Sequence, residues 1–264
     1  MSRVRLRAAL ESRDGSALAI APLIERHAGA LEQIAPATLL SDAEALARAL
    51  RNAQALYGCD AVTIGAAGER AAAACWEAAR PGLVPAASAA AVARGEPLDD
   101  LPAPAGIGGG ASLAVARDAM ARLRPVLGDR AGIAIVLPDA PRLAALLGRE
   151  ASGDWASATL LEIVRLFGPE EPDLFLLTGN EHTLARPLAS LADFFGAPIV
   201  HVCAEESCQA GVAVLQGDDF AGSAADLPGT TWLATSSTEL DVDSDPKATR
   251  EAIANMRRRR TIAG

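Results

Sequence analysis

The chain has 264 residues, half of them apolar, which is enough for one large α/β domain or two small ones. Aromatic residues make up only 3%, so the core must be built from Ala, Leu, Val and Ile. The formal charge of −9 excludes a general nucleic-acid binder, because phosphate neutralisation needs a basic surface.

The N-terminal Met-Ser-Arg-Val-Arg-Leu-Arg has no apolar stretch behind it, so no signal peptide is expected. No apolar run is long enough to span a membrane. The four cysteines (Cys59, Cys75, Cys203, Cys208) do not form a small secreted-domain framework, and a cytoplasmic protein with reduced thiols is expected.

Apolar runs of strand length recur between amphipathic stretches. Strands are predicted at 17–22, 61–65, 132–137, 173–178 and 199–203, with weaker ones at 82–85, 212–215 and 231–235. Helices are predicted at 41–57, 68–80, 112–127, 140–148, 155–167, 183–196 and 246–259. The first opens on a Ser41-x-x-Glu44 capping box, and the last places Pro246 in its first turn. Arg257-Arg-Arg-Arg260 reads as a solvated helix end opposing the helix dipole. Segment 91–111, rich in Pro and Gly, reads as a long surface loop within a single domain spanning 1–264. Strand and helix alternate about eight times, which predicts a (β/α)8 TIM-type barrel, incomplete or compressed in its C-terminal third. A doubly wound open sheet is the alternative.

Gly106-Ile-Gly-Gly-Gly-Ala111 has the letters of a dinucleotide loop, but Leu101-Pro-Ala-Pro-Ala105 before it is no strand. A linker is the better reading. Barrel active sites lie at the C-terminal ends of the strands, and several polar groups sit there. Thr178-Gly-Asn-Glu-His182 offers Asn180, Glu181 and His182, with His182 a candidate acid or base, or else the start of the next helix. Asp139 is either a helix N-cap or a site carboxylate. Glu69 and Asp218-Asp219 are similar candidates. His201-x-Cys203 closes a β-branched strand, and residues two apart on a strand share a face. An imidazole and a thiolate aimed together are half of a zinc site. Cys208 is the candidate third ligand, leaving an open fourth position. Glu205 and Glu206 follow directly, Glu205 being a candidate ligand or proton carrier. The competing reading is a buried Cys and His that serve only packing and hydrogen bonding.

The order of these segments resembles the uroporphyrinogen decarboxylase superfamily, which includes corrinoid methyltransferases. Arg5-Leu-Arg-Ala-Ala-Leu-Glu11 and the strand ending at Pro22 resemble its opening helix and first strand. Tyr57-Gly-Cys-Asp-Ala-Val-Thr63, Arg124-Pro-Val-Leu-Gly128, Pro138-Asp-Ala-Pro-Arg-Leu-Ala144 and the tail Thr235–Pro246 are similar to later passages. His201-Val-Cys203 resembles the zinc motif of the methyltransferase branch. The resemblance implies a barrel with its site at the C-terminal mouth. There, zinc on His201 and Cys203, with Cys208 or Glu205 standing in for the family's third ligand, would activate a thiol to take a methyl group from a corrinoid, carried by a partner protein. It also implies a small-molecule substrate and a candidate homo-oligomer. The decarboxylase branch implies metal-free loss of carboxylate from a tetrapyrrole, with arginines such as Arg13, Arg26, Arg142 and Arg186 gathered in the mouth. Two departures stand out. Pro22-Leu-Ile-Glu-Arg-His-Ala28 carries one Arg where the decarboxylases carry several, and Thr235-Ser-Ser-Thr238 replaces the methyltransferases' last cysteine ligand. A third expectation is therefore a non-catalytic barrel that binds a partner, its mouth plugged by apolar side chains.

Overall fold

A computed structural model describes residues 2–149, 153–179, 186–203, 210–215, 227, 230–236 and 238–263. Its strands are β1 (Ala19–Ile20), β2 (Ala61–Ile64), β3 (Gly132–Pro138), β4 (Leu174–Thr178), β5 (Ile199–Val202), β6 (Val212–Leu215) and β7 (Leu233–Ser236). The helices between and around them are α1 (Ser2–Ser12), α2 (Glu25–Leu31), α3 (Pro36–Ser41), α4 (Ala43–Tyr57), α5 (Glu69–Ala79), α6 (Pro85–Ala93), α7 (Pro104–Ile107), α8 (Ala111–Leu127), α9 (Ala140–Leu146), α10 (Gly153–Phe167), α11 (Arg186–Phe194) and α12 (Pro246–Ala263).

All strand pairs are parallel, in two sheets ordered β1-β7-β6 and β2-β3-β4-β5. Asp60 joins them. Its backbone N–H donates to Ile20 O at 2.7 Å and its Oδ2 accepts from Ile20 N at 3.0 Å, so a side chain completes the β1–β2 seam where the strand ladder stops. The strand faces alternate as in a barrel wall. Ala19, Ala21, Ala61, Ala134, Val136, Leu174, Leu176, Val200, Val202, Val212 and Leu233 pack together inside. Ile20, Val62, Ile64, Ile133, Ile135, Phe175, Leu177 and Ile199 pack against the helices. The fold is α/β of TIM type. Small alanines on β1–β3 leave the interior room that the Leu and Val side chains of the other strands fill.

The N-terminal end of the wall is closed by α1, whose Leu6 is fully buried. A Cβ on Gly132 would stand 2.4 Å from Leu6 Cδ2, so glycine is what lets this plug seat. Asp173 pins the same end, accepting from Ile133 N at 2.9 Å, Arg3 Nε at 2.8 Å and Arg124 Nη1 at 2.9 Å.

Four expectations change. Seven strands, not eight, occur among the described residues, because Pro85 starts α6 and Gly82 lies in a turn where a strand was expected. Asp42, not Ser41, caps α4. Its Oδ1 accepts from Glu44 N at 2.9 Å and Ala45 N at 3.0 Å, while Ser41 ends α3 and donates to Ala37 O. Segment 91–111 is no loose surface loop. Leu98 and Ile107 are buried, Leu98 N donates to Leu147 O, and Trp155 Nε1 donates to Pro102 O. Arg257 is not simply solvated, since it donates to Gly58 O and to Asp60 Oδ2.

The segment after β7 is clamped by a buried histidine. His27 Nδ1 lies 2.7 Å from Asp241 O, which can only accept, so Nδ1 carries the proton and Nε2 accepts from Tyr57 Oη at 2.6 Å. Burial holds the His27 pKa below its ordinary value, against the upward pull of Asp241.

Replacing Asp60 with Ala leaves the Ile20 N–H without its side-chain acceptor and removes the carboxylate partner of Arg257, which keeps Gly58 O, and should cost about 3 kcal/mol in urea unfolding. Arg257→Leu should cost a comparable amount, because it leaves the fully buried Asp60 carboxylate with only the more distant Arg5 as a cationic partner. For His27, the unfolded chain binds the proton more readily than the fold does. The stabilisation is therefore complete above the unfolded pKa near 6.5 and is lost as pH falls below it. Unfolding free energies at pH 7 and pH 5 should differ in the native chain and differ less in His27→Gln.

Candidate functional site

The C-terminal strand ends are stitched together by hydroxyls. Thr63 Oγ1 donates to Pro22 O and accepts from Ile24 N, each at 3.0 Å. Thr235 Oγ1 donates to Ala21 O at 2.7 Å, and Ser236 Oγ accepts from Leu23 N at 2.9 Å. These bonds fix the turn from β1 into α2 and so place Glu25 at its start.

Glu25 is 1% exposed and fully engaged. Its Oε2 accepts from Gly65 N at 2.7 Å and Ala66 N at 3.1 Å, and its Oε1 accepts from Arg70 Nε at 2.8 Å and Nη2 at 2.5 Å. The two backbone donors point together because Gly65 has φ 140° and Ala66 φ 43°, leading into the 3-10 turn Ala66–Gly68. Arg70 is buried as well and donates to Leu39 O at 2.7 Å. Around this pair lie Arg26, bonded to Glu69, and Glu239. The Glu239 Oε2 accepts from Arg26 N at 3.2 Å, whereas its Oε1 is buried with no hydrogen-bond partner. Burial first, and then the Glu25 charge, push the Glu239 carboxyl up to about 8, with the Arg26 N–H pulling the other way.

Of the residues singled out in the sequence, Glu69 and Arg26 belong to this cluster. Asp139 lies farther around the same rim. It is the N-cap of α9, its Oδ1 accepting from Arg142 N at 2.8 Å. Gly179 at the end of β4 admits its carboxylate, since a Cβ there would stand 1.9 Å from Asp139 Oδ2. Cap and rim position thus coincide. Arg142 and Arg186 open α9 and α11. Arg13 is elsewhere. It directly follows α1 and stacks 5.6 Å from the Trp232 ring, just before β7, so the four arginines are not gathered in the mouth. His182, Glu205 and Cys208 lie outside the described residues, as do Asn180, Glu181, Glu206, Asp218 and Asp219.

His201 pairs in register with Leu177 and shares the face of Ile199, which packs on the helices, whereas Val200 and Val202 face the interior. The sulfur of Cys203 is in a disulfide, contrary to the expectation of four reduced thiols; Cys59 and Cys75 are free and buried. A disulfide sulfur is not the thiolate that zinc requires. Among the described residues no three His, Cys, Asp or Glu side chains are grouped to hold a metal ion. In the disulfide state Cys203 is not a zinc ligand, and the other expected ligands, Cys208 and Glu205, lie outside the described residues.

Glu25, Arg70 and Glu239 were missed in the sequence. The available signal was position: each follows β1, β2 or β7 by a few residues, as Glu69 does. A cleft of about 450 Å³ opens at the opposite end, lined by Arg3, Arg7, Asp173 and Phe195 among others. Its Asp173 is already matched by Arg3 and Arg124, and in barrels chemistry gathers at the other end. No helix among the described residues is long and apolar enough to cross a membrane.

No protein-family model matches the sequence, and no curated protein does. A solved structure of a methyltransferase from Methanosarcina mazei is similar in fold, with a TM-score of 0.68 over 96% of this chain and 98% of that one. The two sequences are 11% identical, so the likeness establishes the fold and nothing finer.

Removing one partner of a buried pair strands the other's charge. Glu25→Leu or Arg70→Met alone should each cost about 3–5 kcal/mol in chemical unfolding. The double variant should recover much of that loss, and a strictly additive double would show that the two side chains do not act as a pair.

Proposed function

We propose that this chain is an enzyme transferring a methyl group at the C-terminal mouth of its barrel. The observation that carries the choice is the correspondence of fold, over nearly the full length of both chains, with a methyltransferase. The charged cluster of Glu25, Arg26, Glu69, Arg70 and Glu239 gives the reaction a location. The specific form of the proposal, following the sequence resemblance, is transfer from a corrinoid-bound methyl group to a thiol. A corrinoid protein is then the partner and a small thiol the acceptor.

No step is assigned to zinc, because Cys203 stands in a disulfide and not as a thiolate. The chemistry asked of this chain is to seat the thiol beside the methyl carbon and to take its proton. Decarboxylation by a four-arginine clamp is less well supported, since Arg13 lies at the end sealed by α1. A passive scaffold would have an apolar plug in the mouth, whereas charged side chains stand there.

The test is to mix reduced protein with methylcobalamin and small thiols, with and without added zinc, and to follow loss of the methyl–cobalt absorbance together with thioether formation. Protein-dependent turnover is expected without added zinc. Absence of turnover with every thiol in both arms would reject methyl transfer of this kind.

A further inference from the structure

We propose that Glu239 is the base of this transfer, its carboxylate accepting the proton of the attacking thiol. The inference rests on the methyl-transfer reading above and adds a residue to it.

The geometry sets Glu239 apart from its neighbours. Both oxygens of Glu25 are occupied, one by Arg70 and the other by the Gly65 and Ala66 N–H groups. Glu69 is neutralised by Arg26. Glu239 Oε2 receives one N–H, from Arg26, and Oε1 receives none although it is buried. A buried carboxylate oxygen without a donor is costly, so the neutral acid is favoured and the ionised form is a stronger base than an ordinary glutamate. The segment carrying it follows β7 and borders the turn from β1, with exposed Thr238 beside it, so the carboxyl stands on the rim where a barrel performs chemistry.

The charged groups that act on it are known. Glu25 and Glu69 raise its proton affinity, and Arg26 lowers it. Arg70 stands behind Glu25, and the Asp241 carboxylate follows on Glu239's own segment. The resulting value of about 8 lies close to the ordinary thiol pKa of about 8.5, the match that favours proton transfer. In the step itself, the sulfur lone pair attacks the methyl carbon and a C–S bond forms. The bond from that carbon to the leaving atom of the donor breaks, and its electron pair stays on the leaving atom. The S–H proton moves to Glu239. No oxidant, reductant or metal is consumed.

The experiment is the pH dependence of turnover in the native chain, Glu239→Gln and Glu69→Gln, using thiols of different acidity, with circular dichroism as the check on folding. The native rate should rise with pH and level above about 8, and that limb should stay in place when the thiol is changed. Glu239→Gln, which keeps an acceptor for the Arg26 N–H, should lose about 100-fold in rate and lose the limb. Glu69→Gln should move the limb to lower pH, because one like charge is gone; a purely structural role would not move it. The inference is overturned by a folded Glu239→Gln with native rates, or by a limb that tracks thiol acidity. Native turnover with those results leaves methyl transfer standing, whereas a native chain that turns over nothing retires both.

Discussion

The arrangement of the mouth depends on burying one ion pair. Glu25 and Arg70 are 1–2% exposed at their side chains, and four segments meet on them. These are the turn from β1, the Gly65–Ala66 turn after β2, the end of α3 through Leu39 O, and the start of α8 through Ser112 O. Two charges taken out of water are tolerated only when their remaining hydrogen-bonding capacity is met. Here the carboxylate takes four donors, and the guanidinium adds two carbonyls to its carboxylate bonds. That requirement fixes the positive φ of Ala66 and the glycine at 65. It also sets the Glu25 charge close to Glu239, one of whose oxygens is buried. The raised proton affinity of Glu239 comes first from its own burial and second from the Glu25 charge that the pair holds beside it.

A second constraint acts along the wall. The interior of β1–β3 is nearly all alanine, which brings the backbone close and leaves little side chain to hold the strand ends apart or together. Polar groups take over that task. Asp60 joins β1 to β2 at the sealed end, and Thr63, Thr235 and Ser236 join the loops at the open end. Each belongs to the local sequence of one strand and bonds to another strand or to the loop after it. Losing one affects a seam between elements more than the element that carries it.

Much of this was legible beforehand, for identifiable reasons. The βα rhythm, the seven described strands and the longer helices followed from apolar periodicity, which is local, whereas α2, α3, α6 and α7 are too short to show it. Asp139 read equally as cap and as site residue because it occupies both positions, at the head of α9 and on the rim beside Gly179. The strand expected at 82–85 failed because Pro85 suits a first helical turn as readily as a strand end. The His201-x-Cys203 spacing correctly put both residues at the end of β5. The spacing could not say which face they take, because a strand's in–out parity is set by what packs on each side.

The sequence by itself determined the alternation of elements, the scarcity of aromatic core, and the crowding of carboxylates just after strands. These follow from residue type and neighbours within a few positions. Only the tertiary structure decided that Glu25 meets Arg70 across 45 residues and that Arg257 reaches Asp60 from the last helix. It alone set Glu239 beside Glu25 with one oxygen unpaired. The strength of a charge interaction depends on distance and on exclusion of water, and neither is a property of the sequence around a residue. Both appear only when distant segments close around the same point.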